Sequence, residues 1–346
     1  MSISYISRER FQLVRDEDAH RRAALAITKA QGLIIMAGAG LGADSGIPTY
    51  RTNEDFWIAH PELKDIGRGI PEMSNSELFR EDPSLAWGFI ATRLKLYRSS
   101  APHKGYLLLR KWSDAMECGY FVFTSNVDRH FIRAGFAPDR VVERHGSLEF
   151  LQCQDARQSS EVLSTPSDFD IRLDPDSLRA FPPFPSVLVQ RSTENCQHPP
   201  LLATKIVIKH KSDATVRNFA ECQHCVSTTL PARPNIRLFN DDHWISEHIL
   251  DMEGKFHRFV KDNLACRLKK FVVIEIGVGV TVDTVRPTTD KLAENYKDLC
   301  TLVRINPIEP EVPDNRKHIS LRMTALEALE QIDKYINEAN LIPGTS

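Results

Sequence analysis

Continuous apolar runs alternate with amphipathic segments along most of this chain. Residues 18–30 have helical spacing and lead into the apolar run GLIIMAGAG, and similar runs of strand length follow at residues 120–126, 140–146, 271–279 and 302–307. Helical spacing also occurs at residues 83–97, 103–117 and 320–339. Buried strands separated by helices are typical of a parallel sheet with helices on both faces, so the pattern predicts an α/β, Rossmann-like fold.

The middle of the chain departs from this pattern. From about residue 152 to residue 238 it is polar, rich in Pro and Ser, without a clear period, and it holds four of the seven cysteines. We expect a small zinc-ribbon-like module at 152–235, loop-rich near 159–186, inserted into a Rossmann-like domain formed by residues 1–151 and 236–346.

Composition narrows the class of protein. The 346 residues, 42% hydrophobic and 26% charged, are ordinary for a globular protein. The 44 basic and 46 acidic residues nearly cancel, so the overall charge does not favour binding to nucleic acid. No apolar run is long enough to cross a bilayer, and the first residues are too charged for a secretory signal. The odd cysteine count favours reduced thiols, and we expect a cytoplasmic protein, with a nuclear location open if it is eukaryotic.

The first predicted strand ends in the small-residue stretch GAGLGADSGIPTYR, residues 38–51. A strand followed by glycines allows backbone N–H groups to approach a phosphate, although a tight turn without a ligand would use the same residues. Ala43 stands where GxGxxG has its third glycine, and no acidic residue follows a second strand at the usual distance. These two differences disfavour an ordinary dehydrogenase.

Other motifs follow this one in a fixed order. They are TSNVDRHFIRAG, ERHGS, CQHC, LPARPNIRLF, GVGVTV and RINP. The series resembles the sirtuin family of NAD-dependent protein deacylases, whose pattern is GAGxSxxSGIPDFR, TQNID, HG, paired cysteines, RPxxxxFGE, GTSLxV and IN. The resemblance extends from about residue 20 to residue 335 and is strongest to a bacterial-type branch with GAGxGxDSGxP and FVFTSNVD.

The resemblance implies that NAD is consumed to remove an acyl group from a protein lysine, releasing nicotinamide and an O-acyl-ADP-ribose. It makes His145 the general base on a ribose hydroxyl, a task suited to an imidazole. It makes Asn126 the group that orients the ribose and a catalytic water, and Asp128 the partner of the nicotinamide carboxamide. Without the resemblance, these residues would indicate a structural histidine and a polar turn.

The resemblance also implies a set of NAD contacts, with Arg51 facing a phosphate and Tyr50 shielding the ribose from water. A Tyr-Arg pair on the surface is the alternative. The implied cofactor-binding residues are Gly38, Ala39, Gly40, Asp44, Ile47, Pro48, Tyr50, Arg51, Ser125, Asn126, Asp128, Gly277, Val278, Gly279 and Asn306.

Some positions differ from the family pattern. Gly42 replaces Ser, Ser125 replaces Gln, and Val278 with Gly279 replaces Thr-Ser, so hydroxyl contacts to NAD are lost. Asn240 replaces the glycine of FGE, which affects the groove for the substrate backbone. Two alternatives therefore stay open: ADP-ribosyl transfer or NAD hydrolysis on the same fold, and a catalytically silent NAD-sensing scaffold.

The cysteines of the middle region suggest a structural zinc ion. Cys222 and Cys225 form a CxxC pair, and Cys153 and Cys196 could complete four ligands, as structural zinc sites prefer. A CxxC pair without zinc is the alternative.

The segment DPSLAWGFIATRLKLYR concerns the acyl group. Family members that accept negatively charged acyl chains have Tyr and Arg three residues apart, and here Ile90 and Arg93 occupy those positions. One helical turn separates them, so both would face one pocket, where Arg93 alone could bind a carboxylate. A solvated helix face is the alternative for Arg93.

Overall fold

The computed structural model describes residues 17–192, 201–207, 225–266 and 268–340. These form two compact units. The first unit takes residues 1–51, 100–144 and 248–346, and the second takes 52–99 and 145–247.

Eleven strands and twelve α-helices are present in the described part of the chain. The strands are β1 (Gly32–Ala37), β2 (Tyr120–Thr124), β3 (Val141–Glu143), β4 (Gly146–Cys153), β5 (Val162–Ser164), β6 (Ser186–Ser192), β7 (Leu201–Val207), β8 (Cys225–Ile236), β9 (Phe271–Ile276), β10 (Cys300–Ile305) and β11 (Ile319–Leu321). The helices are α1 (17–29), α2 (Ala39–Gly42), α3 (Asn53–Ala59), α4 (Pro61–Asp65), α5 (Ile70–Met73), α6 (Leu78–Glu81), α7 (Pro83–Ser99), α8 (Lys104–Asp114), α9 (His130–Arg133), α10 (Glu247–Val260), α11 (Val285–Asn295) and α12 (Ala325–Asn340).

The first unit is built on a six-stranded parallel sheet with the strand order β11-β10-β9-β1-β2-β3. Every residue of β1, β2 and β9 is buried, which explains why these strands are continuous apolar runs rather than alternating ones. Apolar residues of α1, α8 and α12 belong to one core cluster with the central strands. The predicted Rossmann-like α/β fold is confirmed.

The structure refines the predicted elements of this unit. All five predicted strands are present, and β11 is an additional one. Because residues 319–321 pair with β10, α12 begins at Ala325, five residues later than the spacing predicted. Helix α8 begins after His103, whose side chain accepts a hydrogen bond from the N–H of Gly105 at 3.0 Å.

The second unit contains a five-stranded antiparallel sheet with the order β5-β4-β8-β6-β7. The segment predicted to be loop-rich contains the short strand β5 and reaches the first residue of β6. Residues 52–99, which carry α3 to α7, also belong to this unit. An ion pair of 2.6 Å between Arg98 and Glu149 joins α7 to β4 within it. The module boundary at 152–235 stays a prediction.

None of the helices in the described part of the chain is both long and apolar enough to span a membrane.

Candidate active site

Two glycine-rich turns meet at the carboxyl ends of β1 and β9. The N–H of Gly38 donates to the carbonyl of Ile276 at 3.1 Å, and the N–H of Gly40 donates to that of Gly277 at 2.9 Å. A Cβ atom on Gly40 would lie 2.7 Å from the Cα of Gly277, and Gly277 itself has φ +64°. Glycine is therefore required here for one turn to pack against the other, a reason that does not depend on a ligand.

The same turns offer hydrogen-bond donors. The backbone N–H groups of Ala39 and Gly279 have no acceptor among the described residues. Ala39 is exposed and Gly279 is half-buried. Free N–H groups on small-residue turns at this edge of a parallel sheet suit the diphosphate of a dinucleotide, so the residues present fit NAD.

Asn126 is the second residue after β2, and hydrogen bonds to neighbouring groups hold it in place. Its side-chain Nδ2 donates to the carbonyl of Gly38 at 3.1 Å, and its backbone N–H donates to Oγ1 of Thr124 at 3.1 Å. The side chain is only 9% exposed. These two hydrogen bonds connect the end of β2 to the first glycine turn. The amide oxygen of Asn126 is then available for a ligand.

Asp128, two residues further on, is buried. Its Oδ1 accepts a hydrogen bond from the backbone N–H of His130 at 2.9 Å. Burial raises the pKa of Asp128, and the nearby His130 and Arg133 partly offset the rise. Tyr106 is fully buried, and burial together with the charge of Asp128 raises the pKa of its phenol well above the usual value. Because burial disfavours charge at this position, a neutral polar partner such as a carboxamide suits Asp128.

The remainder of the first motif forms a turn whose groups partly serve the fold. Oδ2 of Asp44 accepts from the backbone N–H of Leu326 at 2.7 Å and so caps α12. Ile47 is buried, while Pro48, Tyr50 and Arg51 are half-buried. Tyr50 has φ +48°, an uncommon conformation for an aromatic residue. The fold alone accounts for Asp44, and its NAD contact stays a prediction.

Asn306 also has a structural use. It is fully buried, and its Nδ2 donates to the carbonyl of Val278 at 2.8 Å. Its Oδ1 accepts from the N–H groups of Ile308 and Glu309 at 2.9 and 3.0 Å. The amide therefore joins the turns after β9 and β10, and a ribose contact would have to share atoms that the fold already uses.

Buried charged residues, which no sequence motif indicated, lie in the strands that lead into these turns. Glu275 in β9 and Arg304 in β10 are paired in the sheet register, and Nε of Arg304 lies 2.6 Å from Oε1 of Glu275. Arg286 of α11 approaches the same oxygen at 3.1 Å. Burial raises the pKa of Glu275, and the two arginines counteract the rise. A charged residue inside each of two adjacent apolar strands was the available signal.

Glu143 is a second group that the motifs did not indicate. It ends β3 and forms an ion pair of 2.9 Å with Arg129. Burial raises its pKa to about 7, although Arg129 acts against the rise and Asp128 adds to it. Together with Asp128 and Glu275, Glu143 is therefore one of three carboxyl groups of the first unit whose pKa is raised by burial.

His145 belongs to the second unit and directly precedes β4. It is half-buried, and its carbonyl accepts from the backbone N–H of Arg237 at 2.9 Å. Gly146 has φ +76°, and a Cβ atom there would lie 2.1 Å from the carbonyl oxygen of Asn235. The glycine after His145 is thus required by the pairing of β4 with β8.

Arg93 lies on α7, also in the second unit. Its Nη2 and Nε donate to the hydroxyl of Tyr97 at 2.7 and 3.1 Å, and its guanidinium lies over the ring of Phe89 at 5.3 Å. Burial and the charge of Arg93 lower the pKa of His60. Ile90 is buried. Arg93 is therefore half-buried in an aromatic cluster and not on a fully solvated helix face.

Asn240 retains the conformation expected of the glycine that it replaces. Its φ is +51°, in the left-handed region that asparagine tolerates better than most residues. Its carbonyl accepts from the hydroxyl of Ser76 at 2.7 Å. The substitution is therefore compatible with an unchanged turn.

Two of the predicted zinc ligands, Cys153 and Cys225, lie far apart in the sheet of the second unit. The pairing places Cys153 opposite Ala232 and Cys225 opposite Ser192. Seven residues of β8 separate Ala232 from Cys225, about 23 Å at roughly 3.3 Å per residue. One zinc ion therefore cannot bind both Cys153 and Cys225. Cys196 and Cys222 lie outside the described residues, and no metal-binding group of His, Cys, Asp or Glu occurs within them.

The chain belongs to the Sir2 family, whose model matches residues 38–255. This match contains the first glycine-rich motif and the Asn126, Asp128 and His145 positions, and it ends before the glycine-rich turn that follows β9.

Several named relatives match part of the chain. It is 36% identical to NAD-dependent protein deacylase 2 of Pseudomonas syringae pv. tomato over 146 residues, 41% of this chain and 56% of the relative. It is 32% identical to an NAD-dependent protein deacylase of Thermococcus sibiricus over 127 residues, 37% of this chain and 46% of the relative. The chain thus spans about half the length of the relatives that it matches.

Solved structures of Sir2 homologues share the fold. A complex of one homologue with NAD has a TM-score of 0.56 at 20% identity, covering 92% of this chain and 94% of that one. A mutant homologue in complex with ADP-ribose has a TM-score of 0.57 at 20% identity, covering 93% and 98%.

Proposed function

We propose that this protein is an NAD-dependent protein-lysine deacylase that releases nicotinamide and an O-acyl-ADP-ribose. Membership of the Sir2 family, together with the retention of Asn126, Asp128 and His145, carries the proposal. Its relatives are named as deacylases, and the glycine turns of the first unit present free N–H groups suited to a dinucleotide.

The reaction assigns a task to each of these residues. When bound, NAD supplies a ribose carbon whose bond to nicotinamide can break. The buried carboxyl of Asp128 binds the carboxamide, and Asn126, held by the carbonyl of Gly38, orients the ribose with its free amide oxygen. His145 accepts the proton of a ribose hydroxyl so that the acyl group can move from lysine to sugar. Tyr50 excludes water from the reacting carbon.

Nicotinamide release by the purified protein tests the proposal. We expect release from NAD to require an acetyl- or succinyl-lysine peptide and to be lost in His145→Ala. His257→Ala, which changes an exposed histidine of α10, is the matched control and should behave as wild type. NAD cleavage without any peptide would instead favour ADP-ribosyl transfer or hydrolysis, and NAD binding without cleavage would favour the silent scaffold. The conformation of Asn240 supports a retained peptide groove and hence the deacylase.

We further propose that Arg93 makes the acyl pocket accept acidic chains. Its guanidinium is half-buried, where a carboxylate would be weakly screened, and the Tyr97 hydroxyl orients it. This hydroxyl comes from one helical turn beyond Arg93, whereas Ile90 fills the position where the family has tyrosine.

A zinc ion and the cellular location stay predictions. Because Cys153 and Cys225 cannot bind the same ion, a zinc site would need Cys196, Cys222 and only one of these two, with a further ligand, and metal analysis of the purified protein tests this. A cytoplasmic location agrees with the odd number of cysteines, which favours reduced thiols, and microscopy of a tagged chain tests it.

A further inference from the structure

A cluster of buried charges supports the two turns that follow β9 and β10. We call Glu275, Arg286, Asp290 and Arg304 the charge cluster. Glu275 is fully buried between two arginines, and Arg304 also contacts Asp290 at 2.5 Å. Two cations and two anions balance one another, so the charge cluster as a whole presents little net charge to a ligand. Any effect on a ligand would therefore come from geometry.

Arg286 connects this charge cluster to both turns. Its Nη2 donates to the carbonyl of Val278 at 2.7 Å and to that of Glu309 at 2.9 Å. The same Nη2 forms an ion pair with Oε1 of Glu275 at 3.1 Å. Since a buried arginine without a carboxylate would be costly, Glu275 allows Arg286 to stay where it reaches the carbonyls.

The contact with Val278 determines where the next N–H group points. In a trans peptide, the C=O of one residue and the N–H of the next point in opposite directions. Arg286 and Asn306 both bind the carbonyl of Val278 from the protein interior. The N–H of Gly279 is therefore directed away from the interior, and it has no acceptor among the described residues.

We infer that Arg286 is a positioning residue for NAD: by holding the Val278 carbonyl, it presents the Gly279 N–H to the ADP half of the dinucleotide. The inference rests on the proposed function, because that function makes NAD the ligand of this turn. It also explains how the GVG turn can bind NAD without the hydroxyl groups of the family's Thr-Ser. A backbone N–H group, oriented by the Val278–Gly279 peptide, takes the place of these side-chain contacts.

Calorimetric titration of the full chain with NAD and with ADP-ribose tests this inference. We expect Arg286→Met to raise Kd for both ligands about three- to tenfold, the loss of one oriented hydrogen bond. Arg286→Lys should lose less, because its ammonium keeps the charge beside Glu275 and can reach one carbonyl. Arg110→Met is the matched control, since Arg110 also pairs with a carboxylate and a main-chain carbonyl but lies on α8.

Two further readouts separate positioning from general stability. KM for NAD should rise in Arg286→Met, while kcat at saturating NAD stays within about twofold, because the nicotinamide end is untouched. Hydrogen exchange of the Gly279 amide should slow on NAD binding in wild type and much less in Arg286→Met.

Three results would overturn the inference. Arg286→Met could bind NAD and ADP-ribose as wild type does, it could lose affinity no more than Arg110→Met, or the Gly279 amide could be equally protected in both proteins. If wild type binds NAD but never deacylates, the proposed function fails while these affinities still decide the role of Arg286. If wild type does not bind NAD, both are overturned.

Discussion

The packing of the glycine turns predicts that Gly277→Ala destabilises the first unit. Gly277 has φ +64°, and an added Cβ would lie 2.2 Å from the backbone N of Leu41 and 2.4 Å from the carbonyl C of Gly40. All the nearest atoms belong to the backbone, so no flexible side chain can move aside.

Two costs contribute to the size of the effect. The left-handed conformation costs alanine roughly 1–2 kcal/mol. Overpacking of a close contact typically costs about 1–3 kcal/mol more. The sum, about 2–5 kcal/mol, is a large part of the stability of an ordinary domain, which is about 5–15 kcal/mol.

Thermal unfolding of wild type and variant measures this effect. For a domain of about 150–250 residues, such a loss lowers Tm by roughly 4–20 °C. The control is Gly254→Ala, the same chemical change inside α10, where an added Cβ meets nothing within 4 Å. Alanine is favoured over glycine in a helix by roughly 0.5–1 kcal/mol, so this variant should unfold at a higher temperature than wild type.

The opposite signs make the test specific. If Gly277→Ala unfolded within about 1 °C of wild type, the close contact between the turns after β1 and β9 would be refuted. A decrease of Tm in both variants would indicate that alanine substitution in general, and not this contact, was responsible.

Three further predictions concern the site itself. Burial raises the pKa of Glu143 from 4.5 to about 7, so the folded chain holds an extra proton between these values and stability falls as the pH rises through them. Over this pH range the free energy of unfolding should fall by at most about 3 kcal/mol, and Glu143→Gln should remove this pH dependence. An unchanged profile of Tm against pH in the variant would contradict the prediction. Arg93→Met should reduce kcat/KM for a succinyl-lysine peptide by about tenfold or more relative to an acetyl-lysine peptide, with a smaller loss in Tyr97→Phe; equal losses on both peptides would exclude a carboxylate contact. Gly42→Ser should leave Tm within about 2 °C of wild type and lower KM for NAD, because its Cβ would lie 3.5 Å or more from every neighbour and near Asp128; a clear loss of stability would show the space to be smaller.

Local sequence was sufficient for the strands and for the main motifs. The apolar runs of β1, β2 and β9 are buried on both faces, so their burial could be inferred from the residues alone. The family motifs likewise located Asn126 and Asp128 at the end of a strand, and the structure has them two and four residues after β2.

The second unit shows what local sequence could not provide. Its sheet depends on pairings such as Val187 with Leu230, between residues far apart in the chain, and its strands have no clear period. The same pairing separates Cys153 from Cys225, although their residue types had suggested a common metal ion. Sequence spacing describes neighbours along one strand and carries no information about register between strands.

The sequence by itself determined the sheet class, the glycine turns and the identity of the chemical groups, because these follow from local periodicity and residue type. Only the tertiary structure decided which hydrogen-bond and ion-pair partners these chemical groups have. Asp44 caps a helix 282 residues away in the chain, and Arg286 meets Glu275 and the carbonyl of Val278. Such contacts arise from the packing of distant elements, and the pKa and orientation of a group follow from those contacts and not from its position in a motif.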